Sequence, residues 1–133
     1  MNEMRRTTPI VLACAISAGV HLGLVPEHLH EAPALGVSFI VSVFLLALAT
    51  VAVALRPNDL RAVRLTGLLL AGLLVAFAAS RTTGLPLLQP DREELDAVGL
   101  ITQIVQASGL GFALLQAHQL GGRRSPITQE ATP

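Results

Sequence analysis

Four long apolar stretches constrain what this chain can fold into more than any other feature of its sequence. They cover about residues 9–25, 34–55, 62–80 and 95–117, and the second of them contains no charged residue. A helix needs about 20 mostly apolar residues to cross about 30 Å of hydrocarbon. Each stretch therefore predicts one transmembrane helix, and the fold class is predicted to be all-α.

The composition agrees with lipid as the main solvent. Apolar residues make up 52% of the chain and charged residues 14%, whereas about a quarter of a typical soluble domain is charged. The length of 133 residues fits one domain, which we assign to residues 1–122, followed by a disordered cytoplasmic tail over 123–133. The formal net charge of zero gives no case for a nucleic-acid partner.

Local signals mark several helix ends. Pro33 precedes the second stretch, and Asn58 or Asp59 can cap the third. Asp91 and Glu94 have the spacing of a capping box at the start of the fourth. Because the connections are short, consecutive helices should be antiparallel neighbours, which predicts an up-down-up-down four-helix transmembrane bundle.

The arginines predict the orientation of this bundle, because loops on the cytoplasmic side are enriched in basic residues. Seven of the nine basic residues fall on one side of a four-span arrangement: Arg5, Arg6, Arg56, Arg61, Arg64, Arg123 and Arg124. Arg81 and Arg92 fall on the other side. Both termini are therefore expected in the cytoplasm of a bacterium, with the chain multi-pass in the cytoplasmic (inner) membrane.

Polar and small residues recur at three- and four-residue steps along the fourth stretch. They are Gly99, Thr102, Gln103, Gln106, Gly109 and Ala113. Amide and hydroxyl groups that face lipid would lack partners, so this stripe should point into the bundle or toward a partner chain. We expect Gly99, Gln103 and Gln106 to form a helix interface, either as structural contacts alone or as an assembly surface.

Histidines and acids concentrate on the predicted outer side, which holds three of four histidines and six of nine acids. His28 and Glu31 are three residues apart and share a helical face, as His21 and His28 do if Pro26 does not interrupt the helix. Imidazole and carboxylate ligands suit a divalent metal, so His21, His28 and Glu31 form a candidate metal site. A proton-sensitive or partner-binding surface and a plain solvated loop are the alternatives.

Arg81 lies at the outer end of the third stretch, where an acid such as Glu27, Glu31 or Asp96 could pair with it. An ionisable group at the edge of a membrane span faces the bundle interior or the interface. We therefore expect an ion pair across the outer loops. Glu27, Arg81 and Asp96 form a candidate ion-pair or partner site.

Several classes of chemistry have no support in the sequence. The single cysteine, Cys14, cannot form an intrachain disulfide or a cysteine-based metal cage. The chain has no lysine for a Schiff base, no serine hydrolase motif and no glycine-rich phosphate loop after a strand. His21 and His118 lie toward opposite ends of the bundle and cannot share a haem. We predict no cofactor, with a bound divalent metal as the alternative.

Two segments on the predicted outer side have distinctive sequences. The first covers residues 21–36 and contains the run Pro-Glu-His-Leu-His-Glu, and the second is Ser80-Arg-Thr-Thr-Gly-Leu-Pro86, followed by an acidic stretch. Both segments resemble those of small four-span integral membrane proteins of GC-rich bacteria. The resemblance implies the four-span topology and no established activity. It also groups His21, Glu27, His28, Glu31 and Arg81 as one candidate site.

The leading functional hypothesis is a non-enzymatic membrane protein that acts as an accessory subunit or a homo-oligomer through helix–helix contacts, with the lipid bilayer and another membrane protein or itself as partners. The alternative is metal binding or proton sensing at the outer His/Glu site. A third class, a membrane enzyme acting on a lipid or a quinone, stays open because such sites need few polar groups.

Overall fold

The computed structural model describes residues 2–86, 88 and 96–122, with side chains from residue 6 onward. It contains four α-helices: α1 (Asn2–Glu31), α2 (Pro33–Leu55), α3 (Leu60–Thr82) and α4 (Ala97–Gly122). The prediction of an all-helical, four-helix chain is confirmed over these residues. The expected capping box at Asp91 and Glu94 and the expected tail over 123–133 lie outside them.

The first helix is longer than its apolar stretch at both ends. It runs without interruption through Pro9 and Pro26, although each proline lacks the amide hydrogen of a regular helical residue. Proline is tolerated inside transmembrane helices where neighbouring helices or side chains satisfy the backbone groups that it leaves without hydrogen bonds. The continuity through Pro26 places His21 and His28 on one face of α1.

A tight connection joins α1 to α2. Only Ala32 separates the two helices, and Pro33 occupies the first turn of α2. A Cβ on Gly36 would lie 2.7 Å from the backbone nitrogen of Leu29, so this close approach of two backbones requires glycine.

Aspartates cap the next two helices. The side chain of Asp59 accepts a hydrogen bond from the backbone nitrogen of Arg61 at 2.9 Å, which confirms the predicted cap of α3. At the start of α4, Asp96 Oδ1 accepts from the backbone nitrogen of Gly99 at 2.6 Å. This places the cap directly before the apolar run of α4.

The helices pack in a ring, in which α1 contacts α2 and α4, and α3 contacts α4 and, least extensively, α2. Arg6 Nη1 donates to Gln119 Oε1 at 3.0 Å, and Gln116 Nε2 donates to the carbonyl of Pro57 at 3.4 Å. The start of α1, the α2–α3 turn and the end of α4 therefore meet at one end, the terminal end. The opposite end, with Ala32 and Asp96, is the distal end.

The apolar core lies in the half of the bundle toward the terminal end. Its buried members are Ile10, Cys14, Leu46, Val53, Leu60, Val63, Leu70, Ala113 and Leu120. A Cβ on Gly109 would lie 2.5 Å from Ala13 Cβ, so α1 and α4 approach each other more closely than any larger residue would allow. Contact between small residues is the usual way for apolar helices to pack closely.

The outward faces of all four helices are apolar. Leu22, Leu55, Leu68, Val75 and Ile104 are among the most exposed large apolar side chains, and Leu55 is 76% exposed. Each helix is long and apolar enough to cross a membrane. The chain therefore has four candidate membrane spans, as the sequence predicted.

Candidate functional site: a polar-lined cavity at the distal end

A cavity of about 530 Å³ lies among the four helices in the distal half of the bundle. All four helices contribute to its wall, together with Leu85 and Leu88 from the connection after α3. Most of the lining is apolar, but imidazole, amide, hydroxyl and ionic groups also face it. A largely apolar pocket with a few placed polar groups is the usual form of a small-molecule site.

Gln106 is the deepest polar residue of this cavity along α4, since it lies farthest from the distal end. Its side chain is 0% exposed, and neither Nε2 nor Oε1 has a hydrogen-bond partner among the described residues. One turn nearer the distal end, Gln103 also lines the cavity, and its Oε1 is likewise buried without a partner there. An unpaired buried polar group costs about 1–3 kcal/mol, so these amides are an unusual feature of the fold.

Two histidines of α1 face one aromatic ring of α2. The ring centroids of His21 and His28 lie 5.2 Å and 4.8 Å from that of Phe39, both in edge-to-face geometry. His21 Nδ1 lies 2.8 Å from the carbonyl of Ser17, and His28 Nδ1 lies 2.9 Å from the carbonyl of Leu24. Because a carbonyl only accepts, Nδ1 carries the proton in each neutral ring, and Nε2 is the acceptor.

An ion pair lies at the side of the cavity toward the distal end. Arg81 Nη2 donates to Asp96 Oδ2 at 2.9 Å, and the guanidinium carbon lies 4.7 Å from the centre of the Phe77 ring. A Cβ on Gly99 would lie 2.9 Å from Asp96 Oδ2 and from Phe77 Cε2, so glycine leaves room for this arrangement. The pair joins α3 to α4 and holds one positive and one negative charge together.

Four hydroxyl groups in the cavity wall use their hydrogens within their own helices. Ser38 donates to the carbonyl of Leu35, and Ser42 donates to the carbonyl of Ser38. Ser80 and Thr102 make bonds of the same kind to carbonyls three and four residues back. Such back-bonding leaves each hydroxyl oxygen as an acceptor only.

Most of the residues predicted from the sequence to be functional lie around this cavity. Its lining includes His21, Glu27, His28, Arg81, Asp96, Gly99, Gln103 and Gln106. Glu31, the third predicted metal ligand, is exposed at the end of α1 and does not line the cavity. In the described part of the chain, no three His, Cys, Asp or Glu side chains are grouped as a metal site. Metal binding thus remains a prediction.

Sequence reasoning missed the contribution of α2. Ser38, Phe39 and Ser42 line the cavity, although α2 carries no charge and was assigned only as a membrane span. The available signal was the four-residue spacing of Ser38 and Ser42, which places two hydroxyl groups on one face of an apolar helix. Phe77 on α3 was missed as well, and no pattern in the sequence distinguishes it from the surrounding apolar residues.

Comparisons with protein families, with characterised proteins and with solved structures find no significant match to this chain. The resemblance to small four-span bacterial membrane proteins therefore stays a prediction.

Proposed function

We propose that the chain is a multi-pass membrane protein that crosses the bilayer four times and binds a small amphipathic molecule in its distal cavity. Both termini lie in the cytoplasm, in this proposal, and the cavity lies toward the outer face of a bacterial inner membrane. The buried, unpartnered amide of Gln106 on the cavity wall is the observation that carries the binding part of the proposal.

The distribution of polar and apolar groups supports membrane insertion. No charged residue occurs in α1 between Arg6 and Glu27, in α3 between Arg64 and Arg81, or anywhere in α2 and α4. A helix of 23 residues, such as α2, is about 35 Å long, which is enough to cross the hydrocarbon layer. Exposed leucine, valine and phenylalanine side chains cover this charge-free region, and lipid would solvate them.

The orientation follows from the basic residues. Among the described residues, Arg6, Arg56, Arg61 and Arg64 lie toward the terminal end, and Arg81 lies at the distal end. The excess of arginine at the terminal end supports a cytoplasmic location for it.

Cysteine labelling in intact cells tests this orientation. In a Cys14→Ala background, His30→Cys at the distal end should react with a membrane-impermeant maleimide. Ser125→Cys, beyond the last helix, should react only after permeabilisation. Labelling of Ser125→Cys in intact cells would show that the bundle has the opposite orientation. Failure of His30→Cys to react would contradict a distal end that faces outward.

The binding proposal rests on the cost of the unpaired amides. A buried amide without a partner destabilises the fold by about 1–3 kcal/mol, and a natural sequence could remove this cost with a single leucine. A bound molecule that pairs with Gln106 offsets the cost. Polar groups that destabilise a fold are typical of functional sites.

A pair of phenylalanine variants tests whether the cavity holds a small molecule. Ser42→Phe fills the cavity wall, whereas Ser108→Phe makes the same change on the exposed face of α4. Organic extracts of protein purified from its native membrane should contain one compound in near-stoichiometric amount with wild type and Ser108→Phe, and lack it with Ser42→Phe. Extracts of all three that contain only bulk lipid in equal amounts would contradict the proposal.

Assembly with a partner, as an accessory subunit or a homo-oligomer, remains the hypothesis drawn from the sequence. Its main support was the polar stripe of α4, and in this fold Gln103 and Gln106 face a cavity of their own chain. A Gln103→Leu, Gln106→Leu double variant should therefore leave the oligomeric state in mild detergent unchanged. Dissociation of a wild-type complex by this variant would support the interface hypothesis instead.

Metal binding or proton sensing is a second candidate, favoured by the two histidines that face Phe39 and line the same cavity. In the tautomer that the backbone bond selects, Nε2 of each ring carries no proton, which is the form of imidazole that binds a metal. Elemental analysis of the pure protein should then find metal that is lost in a His21→Ala, His28→Ala double variant. Metal-free protein without a thermal shift on addition of zinc or copper would contradict the metal-binding hypothesis.

A further inference from the structure

We propose that the molecule bound in the distal cavity is a hydroxyl-bearing, otherwise apolar compound, such as a lipophilic alcohol or phenol, whose hydroxyl group binds Gln106. This inference rests on the proposed ligand-binding function and specifies the chemistry of the ligand. It follows from a count of hydrogen-bond donors and acceptors on the deep wall of the cavity.

The deep wall offers one free donor group and several acceptors. Gln106 provides both an amide NH₂ and a carbonyl oxygen, neither of which has a partner among the described residues. The hydroxyl hydrogens of Ser42 and Thr102 are used by backbone carbonyls of their own helices. His21 donates through Nδ1 to the Ser17 carbonyl, so its Nε2 is an acceptor.

A hydroxyl group matches this wall because it donates and accepts at once. It can donate to Oε1 of Gln106 and at the same time accept from Nε2 of the same amide. A ketone or an ether only accepts, and it would leave Oε1 of Gln106 unpaired at a cost of about 1–3 kcal/mol. The hydroxyl therefore satisfies more of the buried groups than a group that lacks a hydrogen.

Charged ligands fit the deep wall poorly. An ammonium group would need a carboxylate, and the acids that line the cavity, Glu27 and Asp96, lie toward its distal side. Asp96 is already paired with Arg81. A carboxylate ligand would need a cation, and Arg81, the arginine that lines the cavity, lies toward its distal side. A neutral ligand avoids the large cost of burying an unpaired charge.

The apolar lining and the volume of the cavity determine what the remainder of the ligand can be. Phe39 and Phe77 line it from α2 and α3, with Leu24, Leu35 and Leu73 as further apolar lining. The volume of about 530 Å³ lies within the range of small-molecule sites. An aliphatic or aromatic body of moderate size fits this lining, with the polar group directed toward α4.

Two matched pairs of probes test the class of ligand. The full-length protein is placed in phosphatidylcholine nanodiscs and titrated with 4-hexylphenol and its methyl ether, and separately with 1-decanol and its methyl ether. Binding is measured with radiolabelled probe as saturable retention above that of empty nanodiscs. In at least one pair, the hydroxyl compound should bind about fivefold to tenfold more tightly than its ether, because the ether has lost the donor.

Variants assign the effect to the cavity. Gln106→Leu should remove the difference between hydroxyl compound and ether, whereas Gln116→Leu, a buried glutamine of the same helix outside the cavity, should retain it. Ser42→Phe should abolish saturable binding and Ser108→Phe should not. Circular dichroism shows whether each variant keeps its helices. The comparison of hydroxyl compound and ether in the wild-type protein does not depend on any variant.

The outcomes separate this inference from the proposed function. If both ethers bind as tightly as their hydroxyl partners and Ser42→Phe still abolishes binding, the hydroxyl class is wrong and the cavity remains a ligand site. If no probe binds saturably, the inference is overturned, because a hydroxyl-bearing apolar compound is then not a ligand of the buried amides. The proposed function is then decided by the native extracts, which do not depend on these probes.

Discussion

The two halves of the bundle are built from the same four helices and differ in how those helices meet. In the terminal half, buried apolar residues such as Leu46 and Leu70 fill the space between the helices. In the distal half, the same helices surround a cavity whose wall carries Gln106, two histidines and an ion pair. Along α4 the change occurs within one turn, between Gly109 and Gln106.

This difference indicates how a largely apolar bundle can separate stability from the ligand binding that we propose. Close contact of Gly109 with Ala13 draws α1 and α4 together in the terminal half. Gly36 draws α1 and α2 together at the distal end, but the contact between α2 and α3 is the least extensive of the four. The cavity lies among the four helices in the distal half. Close packing therefore stabilises the terminal half, and the distal half keeps the space in which we propose that a ligand binds.

The largest effect should come from a deletion in the packed half. Leu70→Ala removes a fully buried side chain and should lower the free energy of unfolding by about 2–4 kcal/mol. Leu68→Ala, on the exposed face of the same helix, should change it by less than about 0.5 kcal/mol. Titration with SDS in mixed micelles, followed by circular dichroism, measures both. Equal losses would mean that the terminal half is not a packed core.

A smaller effect is expected where two helices approach most closely. Gly109→Ala would place a Cβ 2.5 Å from Ala13 Cβ, so α1 and α4 must separate, and the free energy of unfolding should fall by about 2 kcal/mol. Gly111→Ala meets nothing within 4 Å and should be neutral or slightly stabilising, because alanine favours helices. The same unfolding titration compares them. A neutral Gly109→Ala would contradict the close approach.

The third effect, smaller than the first two and opposite in sign, should come from the wall of the cavity. Gln106→Leu removes an amide with no partner among the described residues, and it should raise the free energy of unfolding by about 1 kcal/mol while the preference for a hydroxyl-bearing ligand is lost. Gln116→Leu, which loses its bond to the Pro57 carbonyl, should give no such gain. Thermal unfolding without added ligand measures the pair. A marked loss of stability in Gln106→Leu would show that the amide has a structural role.

Part of the candidate site was accessible from sequence. Gln103 and Gln106 are polar residues in an apolar helix, and their burial inside the bundle follows from the cost of exposing amides to lipid. The spacing of His21 and His28 placed them on one face, provided that the helix continued through Pro26, which it does. Glu31 was grouped with them because of its spacing from His28, but α1 ends at Glu31 and the side chain is exposed.

The number, type and approximate extent of the helices were determined by the sequence alone, because hydropathy and length act locally and need no knowledge of neighbours. Which residues share the cavity was decided only by the tertiary structure. Phe39 comes from α2, whereas Phe77 and Arg81 come from α3. Their place in one cavity depends on the distances between helices, which close contacts at glycines help to set. Such distances arise from the packing of all four helices together, which a one-dimensional pattern of apolar residues does not contain.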